Sequence, residues 1–170
     1  NQQAIFNQGT NVGVLAQQLF PKGVDASPPD YFKLQESVLK TKQFIEDGEQ
    51  IIYEATFQYN GVIVALDILV KDEEGWKAFE VKSSTEVKPI NINDAAIQYY
   101  TIINSGIELK DISIIHINNS YVKQGAIDIK QLFTINSVFN DILELQSAIP
   151  KQIKELNEVI KQDSAPLNPQ

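Results

Sequence analysis

Apolar residues recur at helical spacing near both ends of the chain and crowd into short β-branched runs in its middle. From Ala4 to Phe20, Val12, Leu15, Ala16 and Leu19 share one side of a predicted helix, which Pro21 and Gly23 end. Ala26 to Pro29 reads as a loop, and Tyr31 to Glu46 as a second helix broken at Asp47-Gly48. The pattern then changes. Ile51 to Tyr59 and Val62 to Val70 are rich in β-branched and aromatic residues, and Asn60-Gly61 joins them. Asn-Gly between two apolar runs predicts a hairpin, because a type I′ turn needs positive φ at both central positions. Asp72-Glu73-Glu74-Gly75 supplies a second turn and Trp76 to Lys82 a third strand.

Beyond a polar stretch from Ser83 to Asn91, the spacing predicts a helix from Asn93 to Asn104, capped by Asn93 or Asp94 and stopped by Gly106. Ile112 to Ile117 reads as a fourth strand, and Ala126 to Phe133 is ambiguous, a short strand being one reading. Two helices close the pattern. One runs from Ser137 to Ser147; the other opens at Pro150 and carries Ile149, Ile153, Leu156 and Ile160 on one face. This order predicts an α/β domain with a mixed sheet flanked by helices.

At 170 residues and 43% hydrophobic, the chain is the right size for one compact domain with its own core. We expect that domain to span 1–162. The polar end, Asp163 to Gln170, contains two prolines and reads as a tail or linker. With Asn1 in first place, this leads us to expect a piece of a longer protein whose other domains are partners. The absence of cysteine excludes disulfides, thiolate metal sites and a cysteine nucleophile. No apolar run approaches the ~18 residues of a membrane span, so a soluble, cytoplasmic chain without a membrane partner is expected.

Register arithmetic brings the chemistry into view. If Asn60-Gly61 is a two-residue loop, Tyr59 pairs with Val62 and Glu54 lies opposite Asp67. If the next turn is centred on Glu73-Glu74, Asp72 pairs with Gly75 and Asp67 lies opposite Glu80. Strand alternation turns Lys82 to the face of Glu80, opposite the small Ala65. Three carboxylates in a row with an ammonium beside them suit a hard divalent cation, Mg²⁺ or Mn²⁺, which takes carboxylate oxygens and waters. Such a site makes phosphodiester hydrolysis the natural chemistry.

Asp67, twelve intervening residues, then Glu80-Val81-Lys82 matches the motif of the PD-(D/E)XK nucleases. The chain resembles the RecB-like branch of that superfamily, and within it a bacterial family of uncharacterised proteins. The resemblance is carried by Gly9-x-x-Val12-Gly13, Leu19-Phe20-Pro21-x-Gly23, Asp67-Ile68-Leu69, Glu80-Val81-Lys82-Ser83-Ser84 and Asp94-x-x-x-Gln98-Tyr99-Tyr100. It spans roughly residues 8 to 135. It implies a restriction-endonuclease-like fold and a metal-dependent DNA nuclease, with Asp67 and Glu80 as ligands, Lys82 catalytic and Gln98 near the active site. Gly13 stands where the branch often carries a histidine ligand, and Ile102 where it carries a tyrosine; Glu54 is then the candidate for the missing ligand.

Several features favour other readings. A second Glu-x-Lys, Glu86-Val87-Lys88, would need the hairpin centred on Trp76-Lys77, and Pro29-Asp30 has no Glu-x-Lys in the forty residues that follow. Fourteen cations oppose 22 anions, for a net charge of −8, and all fourteen are lysine. Bidentate guanidinium contacts to phosphate or guanine are therefore absent. A non-catalytic nucleic-acid-binding or scaffold domain that keeps the fold is the alternative, with DNA or RNA as partner; a plain structural domain is a third reading. His116, the only histidine, reads as a hydrogen-bonded structural residue, Tyr99 and Tyr100 as core and rim, and Lys40 and Lys42 as a solvated face.

Overall fold

The computed structural model describes residues 12–30 and 32–156. The expectations for Ala4 to Asn11, for Tyr31, for the helix face at Ile160 with the domain end at 162, and for the tail from Asp163 to Gln170 lie outside the described residues. The helix expected to reach Phe20 is helical over 12–16 (α1) and tightens into a 3₁₀ turn at Gln17–Leu19. The other elements are β1 (Val24–Asp25), α2 (Leu34–Glu46), β2 (Ile51–Tyr59), β3 (Val62–Asp72), β4 (Gly75–Val81), α3 (Pro89–Asn104), β5 (Leu109–Ile117), α4 (Ile129–Leu132), β6 (Phe133–Ser137), α5 (Phe139–Leu145) and α6 (149–156).

The six strands form one mixed sheet in chain order. β1 runs parallel to β2 and β4 parallel to β5, while the other neighbours are antiparallel. Both hairpins take the expected register, Tyr59 pairing with Val62 and Asp72 with Gly75. Asn60 and Gly61 have φ of 52° and 82°, the left-handed pair that the first turn requires. In the second, Asp72 accepts the Glu74 N–H and pairs with Lys77 at 3.0 Å.

Two apolar layers cover the sheet. The larger gathers Ile52, Phe57, Leu66, Leu69, Trp76, Ala78, Ile112 and Ile114 against Ala95, Ala96 and Ile102 of α3 and Ile142 of α5. The smaller joins Val12 and Ala16 of α1 to Ile68, Phe79, Ile115 and Phe133. Among the described residues, no helix is long and apolar enough to cross a membrane.

Several boundaries differ from expectation. α3 begins at Pro89 rather than Asn93, because proline fits the first helical position and the Asn91 side chain accepts the Lys88 N–H at 2.9 Å. α2 begins at Leu34, after Asp30 holds the chain in a turn by accepting the Phe32 N–H. The ambiguous stretch is a short helix, α4, and the strand lies after it, across Phe133–Ser137. β6 is an edge strand with Ile135 exposed, so it lacks the continuous apolar run that marks a buried strand. β1 is two residues long, too short for any periodicity to betray it.

Candidate metal and phosphodiester site

The two hairpins meet at one rung, where regular pairing stops. On β2 and β3, Tyr53 pairs with Ile68 and Ala55 with Leu66, which leaves Glu54 and Asp67 facing each other between them. On β3 and β4, pairing runs from Asp72 and Gly75 to Ile68 and Phe79, so Asp67 and Glu80 come next. There, side chains take over from the backbone ladder. The Asp67 N–H donates to Glu80 Oε1 at 3.3 Å, and the Val81 N–H donates to Asp67 Oδ2 at 2.7 Å.

From this rung the sheet forks. Val62 to Leu66 continue only with β2, while β4 continues with β5, where the Lys82 N–H still reaches Ile115 O at 2.8 Å. α3 lies against the large core over the fork. Between the arms is a pocket of about 200 Å³ lined by Val64, Ala65, Glu80, Asp94, Ile97 and Gln98.

Glu54 has a feature that register arithmetic missed, a φ of 58° in the left-handed region that side chains other than glycine rarely enter. The alternation of faces slips on both strands at this level. Ile52 and Ala55 join the same core, as do Leu66 and Leu69, while Tyr53 and Ile68 pack on the other. The available signal was the pair of large apolar residues, Leu66 and Ile68, that strict alternation would have put together on the face opposite Asp67. Past Glu54, hydroxyls of α2 cover the outer edge of β2. Thr41 Oγ1 accepts the Thr56 N–H at 2.9 Å, and Ser37 bonds Thr56 Oγ1 at 2.6 Å and the Ala26 carbonyl.

Charge accumulates around this rung. Burial, then the charges of Asp67 and Asp25, pushes the Glu54 carboxyl up to about 7. Burial, then Asp67, also raises Glu80, to about 9, with the Lys82 ammonium a smaller opposing influence. Lys82 Nζ stands 3.7 Å from Glu80 Oε2. Both shifts have the same origin: low polarisability penalises the charge of Glu54 and of Glu80, and a like charge adds to that penalty. Gln98 is buried, and its Oε1 has no hydrogen-bond partner. Among the described residues, no three carboxylates or histidines gather into one metal-ligand set. Asp67 and Glu80 are in contact, and Glu54 acts on Asp67 through charge.

The other sequence candidates lie apart from the fork. Glu86 is exposed in the loop before α3, where Ser84 Oγ donates to its carbonyl, and Lys88 is the residue before Pro89. His116 is buried; its Nε2 lies 2.6 Å from Asn136 Nδ2 and its Nδ1 3.1 Å from Ile117 O, so both ring nitrogens are engaged. Tyr99 packs edge-on against Phe139 and Tyr100 against Tyr59, consistent with core and rim. Lys40 and Lys42 are exposed on α2. On α3 itself the polar Gln98 and Thr101 are buried. No protein-family model matches the chain, and comparison with curated proteins finds no similar sequence.

Proposed function

We propose that this chain is a Mg²⁺- or Mn²⁺-dependent nuclease of the PD-(D/E)XK class that hydrolyses phosphodiester bonds in DNA. The observation that carries this reading is the interlocked pair of half-buried carboxylates, Asp67 and Glu80, with the Lys82 ammonium 3.7 Å from Glu80, at the mouth of a sheet fork. The donor set fits a hard cation, because Mg²⁺ is commonly held by one or two carboxylates, its other positions going to waters and substrate phosphate. Glu80 points the same way, since a carboxylate forced toward its protonated form regains its charge beside a cation.

In this reading Asp67 and Glu80 are ligands, and Glu54 joins them from β2. A bound cation would make a coordinated water acidic and neutralise a phosphate oxygen. Lys82 donates to the attacking water or to the phosphate oxygen that gains charge, from a backbone anchored to β5. Gln98 positions Lys82 or the substrate. Incubation of single- and double-stranded DNA with Mn²⁺ tests this. Cleavage that disappears in Lys82→Ala and with EDTA is expected; parent and variant equally inert in every metal would sink it.

The alternative is a nucleic-acid-binding or scaffold domain that keeps the fold without turnover. The net charge of −8, the lack of arginine and the absence of a gathered three-ligand set among the described residues favour it. It predicts DNA retained without cleavage, and binding unchanged in Lys82→Ala.

A further inference from the structure

The two sides of the sheet end differently. On one, β1 is two residues long, carries Asp25 and gives way to the hydroxyls of α2. On the other, β6 runs five residues, Phe133–Ser137, with neither a charge nor a proline. Short strands, charges and prolines are the usual means of blunting a sheet edge, and β6 has none of the three side-chain or length defences that β1 shows. The β5–β6 ladder fixes which backbone groups of β6 are free. At its two ends the Val138 N–H donates to Ile112 O and the Asn118 N–H to Leu132 O. Antiparallel bonding alternates, so the even-numbered residues between them bond β5, while Phe133, Ile135 and Ser137 turn their backbone outward. The Phe133 N–H is taken by Ile129 O at the end of α4. Among the described residues, the Phe133 carbonyl, both groups of Ile135 and the Ser137 N–H are left without a partner.

We propose that β6 is a dimer interface, two copies of this chain pairing antiparallel about Ile135 so that their sheets become one. The free groups are their own complement under that rotation. The Ile135 N–H of each copy meets the Ile135 carbonyl of the other, and each Ser137 N–H meets a Phe133 carbonyl. Ile135 is 45% exposed and shares its face with Ile115 and Phe133 of the smaller core, so the two isoleucines cover each other beside that core. Charge selects the same place. Copies of net charge −8 repel, and a strand without charges is where they can approach with no like pair opposite. Because the β1 side is blunted, the pairing closes at two copies instead of running on into a filament. Five residues make a small interface, so association should be weak and concentration-dependent. Glu80 pairs with Ile114, and Ile114 with Asn136, one residue from the axis. The two forks therefore lie on one face of the joined sheet, five strand spacings or about 24 Å apart, with β5 and β6 between each fork and the other copy. The dimer does not rest on the nuclease reading.

Sedimentation velocity of the full chain, at concentrations up to about 1 mM, tests it. A reversible monomer–dimer equilibrium is expected. Ile135→Pro removes an N–H that no bond within the chain uses, a change an edge strand tolerates, and should raise the dimer Kd about tenfold or more. Ile135→Lys keeps the N–H and sets two like charges opposite each other, with the same expected effect. Circular dichroism matching the parent separates lost pairing from lost folding, and Ile135→Lys carries the test if the proline variant unfolds. The chain has no cysteine, so Ile135→Cys introduces a single thiol. Its Cα would lie about 5.5 Å from that of the other copy, within disulfide reach. Mild oxidation should link Ile135→Cys into dimers and leave Leu39→Cys, exposed on α2, as monomer. A parent that stays monomeric throughout overturns the proposal and leaves the edge to some other strand. A dimer indifferent to both Ile135 variants, equal linking at the two cysteines, or an assembly that grows past two copies overturns it as well.

Discussion

At the scale of single residues, the site stores a cost that should be measurable without substrate. Glu54 and Glu80 both have folded-state values above those of an unfolded chain. The stability each contributes is complete below about pH 4.5 and is lost as pH rises through the folded value, near 7 for Glu54 and near 9 for Glu80. In EDTA, the parent's melting midpoint should therefore fall between about pH 5 and about pH 9. Glu80→Gln keeps the shape and cannot ionise, so its midpoint should fall less. At pH 8 it should be more stable than the parent by on the order of 2 kcal/mol, roughly 4–8 °C for a chain of this length. Melting curves across this range decide the matter, and parallel curves for the two proteins would contradict it. Glu54→Gly removes both a half-buried carboxylate and a left-handed φ at a non-glycine position. We expect its metal-free midpoint to rise too, while its Mn²⁺ affinity falls.

At the scale of elements, the fork depends on which backbone groups the strands leave to side chains. Thr41 Oγ1 serves as the acceptor for Thr56 N–H where β1 has already ended. Thr41→Val leaves that N–H buried and unpaired, at a cost of about 1–3 kcal/mol. Chemical denaturation should report the loss with no change in m-value; an unchanged midpoint would mean that the α2 hydroxyls do not hold this edge. The register of the second hairpin also separates the Glu80 copy of Glu-x-Lys from the Glu86 copy. Glu86→Ala and Lys88→Ala alter residues off the sheet, so Mn²⁺ affinity by calorimetry should stay within about twofold of the parent. Glu80→Ala should abolish it, and the reverse pattern would place the metal elsewhere.

For the whole molecule, charge and metal pull in opposite directions. With a net charge of −8 and only lysine cations, few phosphates can be neutralised by the protein. DNA affinity in Mg²⁺ should thus depend weakly on salt, with a log–log slope shallower than about −3. A slope near that of a strongly basic binder would contradict this. Metal that binds only the folded chain stabilises it by about 2.7 kcal/mol at a hundredfold excess over Kd. The parent midpoint should rise roughly 5–10 °C with saturating Mn²⁺. Asp67→Asn should show little of that rise and melt higher than the parent in EDTA.

The sequence by itself determined the central hairpins and, through them, the meeting of Glu54, Asp67 and Glu80 at one rung. Turn chemistry is local: Asn60-Gly61 and Asp72 to Gly75 specify their own backbone, and register then follows by counting along each strand. The lysine two residues past Glu80 is equally a matter of counting. Only the tertiary structure decided the rest. That pairing ends at this rung, so that the sheet forks, depends on the Asp67 carboxylate taking a backbone N–H from the neighbouring strand, which no spacing rule predicts. The left-handed φ of Glu54 falls where the edge of β2 passes from β1, which ends opposite Tyr53, to the hydroxyls of α2 at Thr56. Asp94 and Gln98 share a pocket with Glu80 because α3 packs its small Ala95 and Ala96 into the large core, bringing the helix over the fork. β1 and β6 are strands because a longer neighbour offers them an edge, a cause that lies outside their own residues.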